Sequence, residues 1–168
     1  PTGVQALPRE LELPEDGILR IRPLRELKCL RYDELRKIDI TVKNHDRSVL
    51  DGTDHDALEL ELLFRSPRMQ EFGIDVQCDE KGENGLRIAV VKETRTLRLG
   101  SISAPFELEE GEDLVLRIFI DKNLVEVFAN DQQAAASVHQ RGHALGNARL
   151  FTRGGDLHVS KATAWKMK

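Results

Sequence analysis

The sequence predicts an all-β protein with one short helix, folded as an antiparallel β-sandwich. Apolar residues alternate with polar ones in many short segments, and a period of two is typical of half-buried strands. Turn residues separate these segments about every 8–12 residues, which is typical of an antiparallel sandwich or barrel. The sequence shows neither the βαβ alternation of a parallel sheet nor a repeat of fixed period. The sandwich is therefore the predicted fold class.

The strongest local prediction is a β-hairpin over residues 114–131. Two runs of alternating apolar residues flank Asp121, Lys122 and Asn123. Asp bonds its own backbone at turns and Asn tolerates the left-handed conformation, so these three residues suit the turn. The predicted inward faces consist of Leu114, Leu116, Ile118 and Ile120 in the first run and Val125, Val127 and Ala129 in the second.

The same patterns assign the rest of the chain. Leucines at three-residue spacing after Pro23 predict a helix of about two or three turns, and the polar, acidic residues 44–56 predict a loop. In the N-terminal part, strands are predicted at 10–13, 18–22 and 38–42, with the helix around Leu24, Leu27 and Leu30. Further strands are predicted at 58–64, 72–78, 86–90, 96–99, 106–108, 133–138, 149–152 and 157–167, with a loop at 139–147.

Composition is typical of one ordinary globular domain. The chain has 168 residues, of which 40% are apolar and 32% are charged. Its net charge is −4 and its Lys and Arg residues are scattered among Asp and Glu, which argues against a nucleic-acid or anionic-membrane partner. No apolar run approaches the roughly 20 residues of a spanning helix. A start at Pro1 suggests a piece of a longer protein, so the compartment stays open.

Two cysteines, Cys29 and Cys78, are too few for a disulfide framework, and neither lies in a C-x-x-C pattern. They are predicted to be small buried residues, with a single bridge between them as the alternative.

Six segments, in order, resemble the C-terminal β-sandwich of glycoside hydrolase family 32, the invertases, inulinases and levanases. The most specific is D-K-N-L-V-E-V-F-A-N-D at residues 121–131. The other five lie at residues 7–11, 22–31, 71–74, 97–105 and 150–165. The resemblance implies two antiparallel sheets of about six strands each. It also implies that residues 1–10 are a linker from a catalytic propeller absent from this chain, and that residues 11–168 are the C-terminal sandwich domain.

The chain departs from the family pattern at three places. Asn123 stands where the family usually has Ser, and Gln132 stands where Gly often follows the N-D pair. Residues 100–103 are short where many members carry a longer insertion. A surface role that depends on that insertion is therefore not expected in this chain.

The resemblance implies that this chain is not itself an enzyme. In family 32 the catalytic residues lie in an N-terminal five-bladed propeller, with an Asp nucleophile in W-x-N-D-P-N-G, and that motif is not in this sequence. The expected function is a non-catalytic module that packs on and stabilises the propeller of a sucrose or fructan hydrolase. The alternative is a fructan-binding module in its own right. The expected partner is the propeller of the same polypeptide, and a homodimer and a fructan contact stay open.

Two carboxylates of the hairpin, Asp131 and Glu126, are candidates for catalytic groups. Asp131 follows an Asn, as in the nucleophile motif, but Gln132 and Gln133 follow it. Its predicted role is to cap the turn, since Asp commonly bonds backbone at a hairpin end. Glu126 lies between Val125 and Val127 and is predicted to face solvent, with a structural hydrogen bond to a neighbouring loop or domain as the alternative. No catalytic residue is therefore predicted.

Metal and cofactor sites are not predicted either. His139 and His143 have the spacing of a helical zinc pair, but Gly142 lies between them in a predicted loop. Acidic residues crowd the loop around His55 and are interpreted as a solvated surface, with calcium as the alternative. These acidic residues are Asp51, Asp54 and Asp56.

Sugar-binding sandwiches usually present exposed aromatic rings, and aromatic residues make up only 5% of this chain. Trp165 falls in register with Val159 and Met167, which predicts a core position. Tyr32, beside the predicted helix, is the aromatic residue expected to be exposed. The pattern favours a packing role over sugar binding.

Overall fold

The computed structural model describes residues 3–168 as fourteen strands and one short 3₁₀ helix, Arg25–Leu30. The strands are β1 (Arg9–Glu12), β2 (Arg20–Pro23), β3 (Arg31–Val42), β4 (Arg47–Leu50), β5 (Ala57–Phe64), β6 (Glu71–Val76), β7 (Leu86–Val91), β8 (Thr96–Leu99), β9 (Ile102–Pro105), β10 (Leu114–Asp121), β11 (Leu124–Ala129), β12 (Gln133–Val138), β13 (Ala148–Arg153) and β14 (Leu157–Met167).

Twelve of these strands form two six-stranded antiparallel sheets, which confirms the predicted two-sheet sandwich. The first sheet has the order β12-β11-β10-β5-β14-β3, and the second has the order β4-β13-β6-β7-β8-β9. Strands β1 and β2 pair only with each other among the described residues and form a separate ribbon. The ribbon precedes the helix, as the sequence predicts.

The core lies between the two sheets and follows the alternation seen in the sequence. Phe64 of the first sheet meets Phe72 of the second edge to face, with 5.2 Å between ring centroids. The inward residues of the predicted hairpin are all buried. Asp121 of β10 is opposite Leu124 of β11, so Lys122 and Asn123 form the turn and Lys122 has a positive φ of 54°. The hairpin prediction is confirmed.

Several predicted boundaries are wrong, each for a physical reason. The predicted loop at 44–56 contains β4, a four-residue edge strand in which only Leu50 is buried, so its apolar pattern is weak. The strand predicted at 106–108 is absent from the described chain, and β9 pairs with β8 instead. Phe106 and Leu108 are buried but do not pair with a neighbouring strand. Their apolar alternation therefore reflects burial and not a β-strand.

The predictions for the cysteines are partly wrong. Cys78 is buried, but Cys29 lies exposed in the 3₁₀ helix, and both thiols are free. In residues 3–168 no helix is long and apolar enough to cross a membrane. Pro1 and Thr2, the first residues of the predicted linker, lie outside the described residues.

Candidate functional site

The outer face of the first sheet, the side turned away from the core, buries two carboxylates. Glu59 of β5 is 0% exposed and Glu126 of β11 is 1% exposed. Both belong to one row of directly opposed residues that crosses four strands. The row runs through Glu126, Phe119, Glu59 and Trp165. The prediction that Glu126 faces solvent is wrong, and the alternative of a structural hydrogen bond is what the structure shows.

The N-terminal segment covers Glu126. The backbone N–H of Leu7 donates to Glu126 Oε1 at 2.7 Å, and the Arg9 guanidinium donates to Oε2 at 2.9 Å. The same guanidinium lies 5.3 Å from the centroid of the Phe128 ring on this face. A carboxylate that accepts two such bonds in a buried place is strongly held, since charge-assisted hydrogen bonds are about twice as strong as neutral ones. Glu126 therefore acts as an anchor for the segment that enters the domain.

A second contact holds the ribbon against the same sheet. The N–H of Ile21 in β2 donates to the backbone oxygen of Asp131 at 2.6 Å. The predicted turn-capping role of the Asp131 side chain belongs instead to its neighbour Asn130. Asn130 Oδ1 accepts from the Val115 N–H at 2.7 Å, and its Nδ2 donates to the backbone oxygen of Asp113 at 3.0 Å. Asp131 contributes its backbone to the ribbon, which suits a structural role.

Glu59 is held by two arginines from different strands. Arg31 of β3 forms an ion pair with Glu59 Oε2, and Arg117 of β10 lies 3.5 Å from Oε1. The Arg31 guanidinium also stacks 3.8 Å above the centroid of the Trp165 ring. Burial of this charge is tolerated because both cations approach it and keep it paired.

Trp165 lies on this outer face, so the prediction of a core position is wrong. Val159 of β14 is opposite Phe64, but Lys161 is opposite Leu63, so Ser160 is an extra residue in the strand. A one-residue bulge moves every later side chain to the other face of the sheet. Trp165 is half-buried under Arg31 rather than packed in the core. Tyr32 is 41% exposed, as predicted.

An apolar cleft of about 190 Å³ lies between the N-terminal segment, the 3₁₀ helix and this sheet face. Its lining includes Leu7, Leu27, Phe119, Leu124 and Glu126. A retaining glycosidase needs two carboxyl groups about 5–5.5 Å apart, one of them free to attack the sugar. Both oxygens of Glu126 are already bonded to the N-terminal segment, so this carboxylate holds structure instead of attacking a substrate.

The residues considered as metal ligands lie in loops, where the aspartates are exposed and the histidines are half-buried. His139 and His143 come together, because the Nε2 of each lies 3.3 Å from the backbone oxygen of Asn84. Asp51 lies 3.6 Å from the Lys37 ammonium, and His55 Nδ1 accepts from the N–H of Ala57 at 3.2 Å. Within residues 3–168 no group of three or more His, Cys, Asp or Glu side chains is placed to hold a metal ion.

The outer face of the second sheet carries a cluster that sequence reasoning missed. Asp75 of β6 accepts from the Arg87 guanidinium at 2.8 and 2.9 Å and from Arg47 at 2.9 Å. Asp75 holds the pKa of Arg87 above its ordinary value through these bonds. Burial, and then the nearby Asp75 charge, raise the pKa of the Cys78 thiol to about 11. The one signal in the sequence is an Asp inside the apolar run F-G-I-D-V.

Comparison with known proteins agrees with this architecture. The family model described as glycosyl hydrolases family 32 C terminal matches residues 26–166. A levanase of Bacillus subtilis is 27% identical over 187 residues, covering 97% of this chain and 27% of the levanase. A raffinose invertase of Escherichia coli is 29% identical over 183 residues, covering 98% of this chain and 35% of the invertase. The chain thus spans about a third or less of the length of these relatives.

Solved structures show the same fold. Fructan 1-exohydrolase IIa from Cichorium intybus matches with a TM-score of 0.79 at 13% identity, over 97% of this chain and 41% of that one. Sucrose-6-phosphate hydrolase from Lactobacillus gasseri matches with a TM-score of 0.70 at 20% identity, over 95% of this chain and 33% of that one.

Proposed function

The chain belongs to the C-terminal domain family of the family 32 glycosyl hydrolases, and on that premise we propose that it is a non-catalytic support for a catalytic propeller in the same polypeptide. The parent reaction is the hydrolysis of a fructosyl bond in sucrose or a fructan, because the relatives are named levanase, sucrose-6-phosphate hydrolase and raffinose invertase. This chain would stabilise the enzyme without taking part in the reaction.

The observation that carries this proposal is the match of the C-terminal family over residues 26–166, together with the small share of each relative that the chain covers. A chain that corresponds to about a third or less of a glycoside hydrolase leaves the rest of that enzyme to other residues. The buried carboxylates of the site agree with a structural role, since Glu59 and Glu126 are both held in ion pairs.

The proposed division of the chain places residues 1–10 as the linker from the propeller and residues 11–168 as the sandwich domain. Strand β1 spans this boundary, since it runs from Arg9 to Glu12. The Glu126 contacts to Leu7 and Arg9 support a linker that is fixed on the domain rather than loose.

The test compares the full polypeptide that contains this chain with a version that ends at residue 10 and therefore lacks the sandwich domain, residues 11–168. We expect the truncated enzyme to lose thermal stability by several degrees or to aggregate, because the sandwich no longer covers its partner surface. The 168-residue chain alone should hydrolyse neither sucrose, inulin nor levan.

Two results would contradict the proposal. Hydrolysis by the isolated chain would make it an enzyme, and unchanged stability after truncation would remove the support role. Calorimetric titration of the chain with inulin and levan covers the binding alternative, and heat of binding with micromolar or tighter affinity would replace support by fructan recognition.

A further inference from the structure

The N-terminal ribbon, residues 9–23, has an uncovered apolar side. Leu11 of β1 and Ile21 of β2 are directly opposed, so their side chains share one face of the ribbon. Leu11 is 68% exposed, although it lies in a strand. The residues around the turn add further apolar surface, namely Leu13, Ile18 and Leu19, which are 69%, 49% and 44% exposed. Large exposed apolar clusters mark interaction sites.

Most charged side chains of the ribbon are already paired. Glu12 and Arg22 form an ion pair at 2.9 Å. Glu10 pairs with Arg25 just after the ribbon at 3.1 Å, which holds the pKa of Glu10 below its ordinary value. Because these charges satisfy one another, a partner of the ribbon is recognised through apolar contact rather than through ion pairs.

The ribbon also has a free strand edge. Among residues 3–168, β1 pairs with β2 and with no other strand. A two-stranded ribbon is at best marginally stable alone, and an open edge is a template for another strand. An exposed apolar surface beside an open strand edge is what one partner contributes to a strand-addition interface.

The base of the ribbon is fixed on the first sheet, and its turn is closed by local bonds from the Gly17 N–H to the Pro14 oxygen at 3.0 Å and from the Ile18 N–H to Asp16 Oδ1 at 2.9 Å. The Glu126 bonds to Leu7 and Arg9, and the bond from Ile21 to Asp131, hold the base on the first sheet. The apolar turn residues therefore project in one fixed direction. Such preorganisation lowers the ordering cost of binding.

The comparisons point to the rest of the same polypeptide as the occupant of this surface. The C-terminal family begins its match at residue 26, just after the ribbon. The levanase and the raffinose invertase nevertheless align with 97% and 98% of the chain, so the ribbon has a counterpart in both relatives. That counterpart lies outside the matched family, and because this family is described as C terminal, we infer that the remaining length of each relative lies on the ribbon side of the match.

We propose that the ribbon is a docking element for the catalytic domain of the same polypeptide. Its apolar side, with Leu11, Leu13 and Leu19, packs on that domain, and the open edge of β1 adds to one of the sheets there. This inference rests on the proposed support function and specifies which surface performs it. It also extends the contact between the domains beyond the proposed linker, residues 1–10, because residues 11–23 then contribute to the free energy of that contact.

Hydrogen exchange tests the proposal in the full polypeptide and in the 168-residue chain. We expect the amides of residues 9–13 to exchange at least about 100-fold more slowly in the full polypeptide, because β1 becomes an interior strand there. The double variant L11N/L13N of the full polypeptide should return these amides to fast exchange. Ile38→Asn is the matched control, since Ile38 is 66% exposed on β3, outside the ribbon, and its replacement should leave the ribbon protected.

The outcomes separate the two proposals. Protection that appears only on other surfaces of the chain would overturn docking through the ribbon and leave the support function intact. Protection nowhere, with no loss of enzyme stability on truncation, would overturn both. Slow exchange of the β5 and β10 amides in every variant verifies that the sandwich is still folded.

Discussion

The outer faces of the two sheets both hold a carboxylate between arginines, but they differ in how deeply these groups are buried. Each places a carboxylate between arginines, Glu59 with Arg31 and Arg117 on the first sheet, and Asp75 with Arg47 and Arg87 on the second. Glu59 is fully buried, whereas Asp75 keeps 5% exposure and Arg87 is about half exposed.

The two faces also differ in what lies above them. The first sheet is covered by a segment distant in sequence, since the Glu126 partner Arg9 is 117 residues away. The Asp75 partners are only 12 and 28 residues away and belong to strands of the same sheet. The part of the first face around Glu126 thus lies under an additional packed layer, whereas the arginines that pair with Asp75 on the second face reach solvent. Carboxylates under a packed layer should matter more for stability and for the position of the N-terminal segment.

The largest expected effect is that of Glu59→Ala. It leaves Arg31 and Arg117, which are only 16% and 14% exposed, without their anion, so we expect a loss of about 3–5 kcal/mol in the free energy of unfolding. Urea unfolding followed by the fluorescence of Trp165, the single tryptophan, measures it, and the native emission should also shift because Arg31 stacks on this ring.

Glu61→Ala is the matched control for Glu59. Glu61 lies two residues away on the same strand, but its side chain is 30% exposed and its contact with Arg117 is 4.0 Å long. We expect a loss of about 0–1 kcal/mol. Equal losses for the two variants would contradict the contrast between buried and solvated carboxylates.

The second effect concerns the N-terminal cover. Glu126→Ala removes the acceptor of both Leu7 and Arg9, and each buried bond to a charged group is worth about 1.5–3 kcal/mol. Cleavage by trypsin after Arg9 should therefore become about 100-fold or more faster. Glu126→Gln should lie between wild type and alanine, since its amide oxygen still accepts from Leu7.

Glu107→Ala controls for a carboxylate outside the cover. Glu107 is exposed and lies 3.6 Å from Arg95, so its loss should leave cleavage after Arg9 unchanged. Cleavage of the Glu126 variants at the wild-type rate would mean that the N-terminal segment is held by other contacts.

Much of this fold could be predicted from sequence because its strands alternate cleanly. The β10–β11 hairpin and β5 carry uninterrupted apolar faces, which identify a strand and its buried side together. Short edge strands such as β4 have too few buried residues to produce such a pattern. The family resemblance was also available from the sequence, since it depends on particular letters such as those of residues 121–131.

The candidate site was harder to predict, because its burial is not local. V-E-V and L-E-L around Glu126 and Glu59 have the same alternation as a solvent-facing strand. Only the tertiary contact with Leu7, Arg9 and Arg31 converts these positions into buried anchors. The apolar pattern predicts the wrong face for Trp165, because one bulged residue, Ser160, reverses the alternation of side chains and leaves no mark in that pattern.

A smaller stability effect is expected on the second sheet. Asp75→Asn weakens the pairs with Arg47 and Arg87, but both arginines reach solvent and can be hydrated. We expect a loss of about 1–3 kcal/mol in urea unfolding, below that of Glu59→Ala. Glu83→Gln is the control, because exposed Glu83 makes a single contact with Arg47 at 3.2 Å and its loss should be within about 0.5 kcal/mol.

The smallest effect is expected in the chemistry of the cysteines. Iodoacetamide at pH 8 should alkylate exposed Cys29 quickly and Cys78 slowly in the native protein, because a thiol with a pKa of about 11 holds little thiolate at that pH. Denaturation in urea should make the two rates similar.

Asp75→Asn should speed the alkylation of Cys78 only a few-fold. Burial is the main cause of the raised pKa of Cys78, and the substitution leaves this burial in place. It removes only the negative charge of Asp75, which is the second cause. The native pKa is higher than the unfolded one, so the protonated thiol favours folding below about pH 9 and this contribution falls as the pH rises towards 11. Mass spectrometry of the labelled peptides resolves the two cysteines. A Cys78 rate equal to that of Cys29 in the D75N variant would show that the charge, rather than burial, controls this thiol, and the second sheet would then depend on electrostatics as strongly as the first.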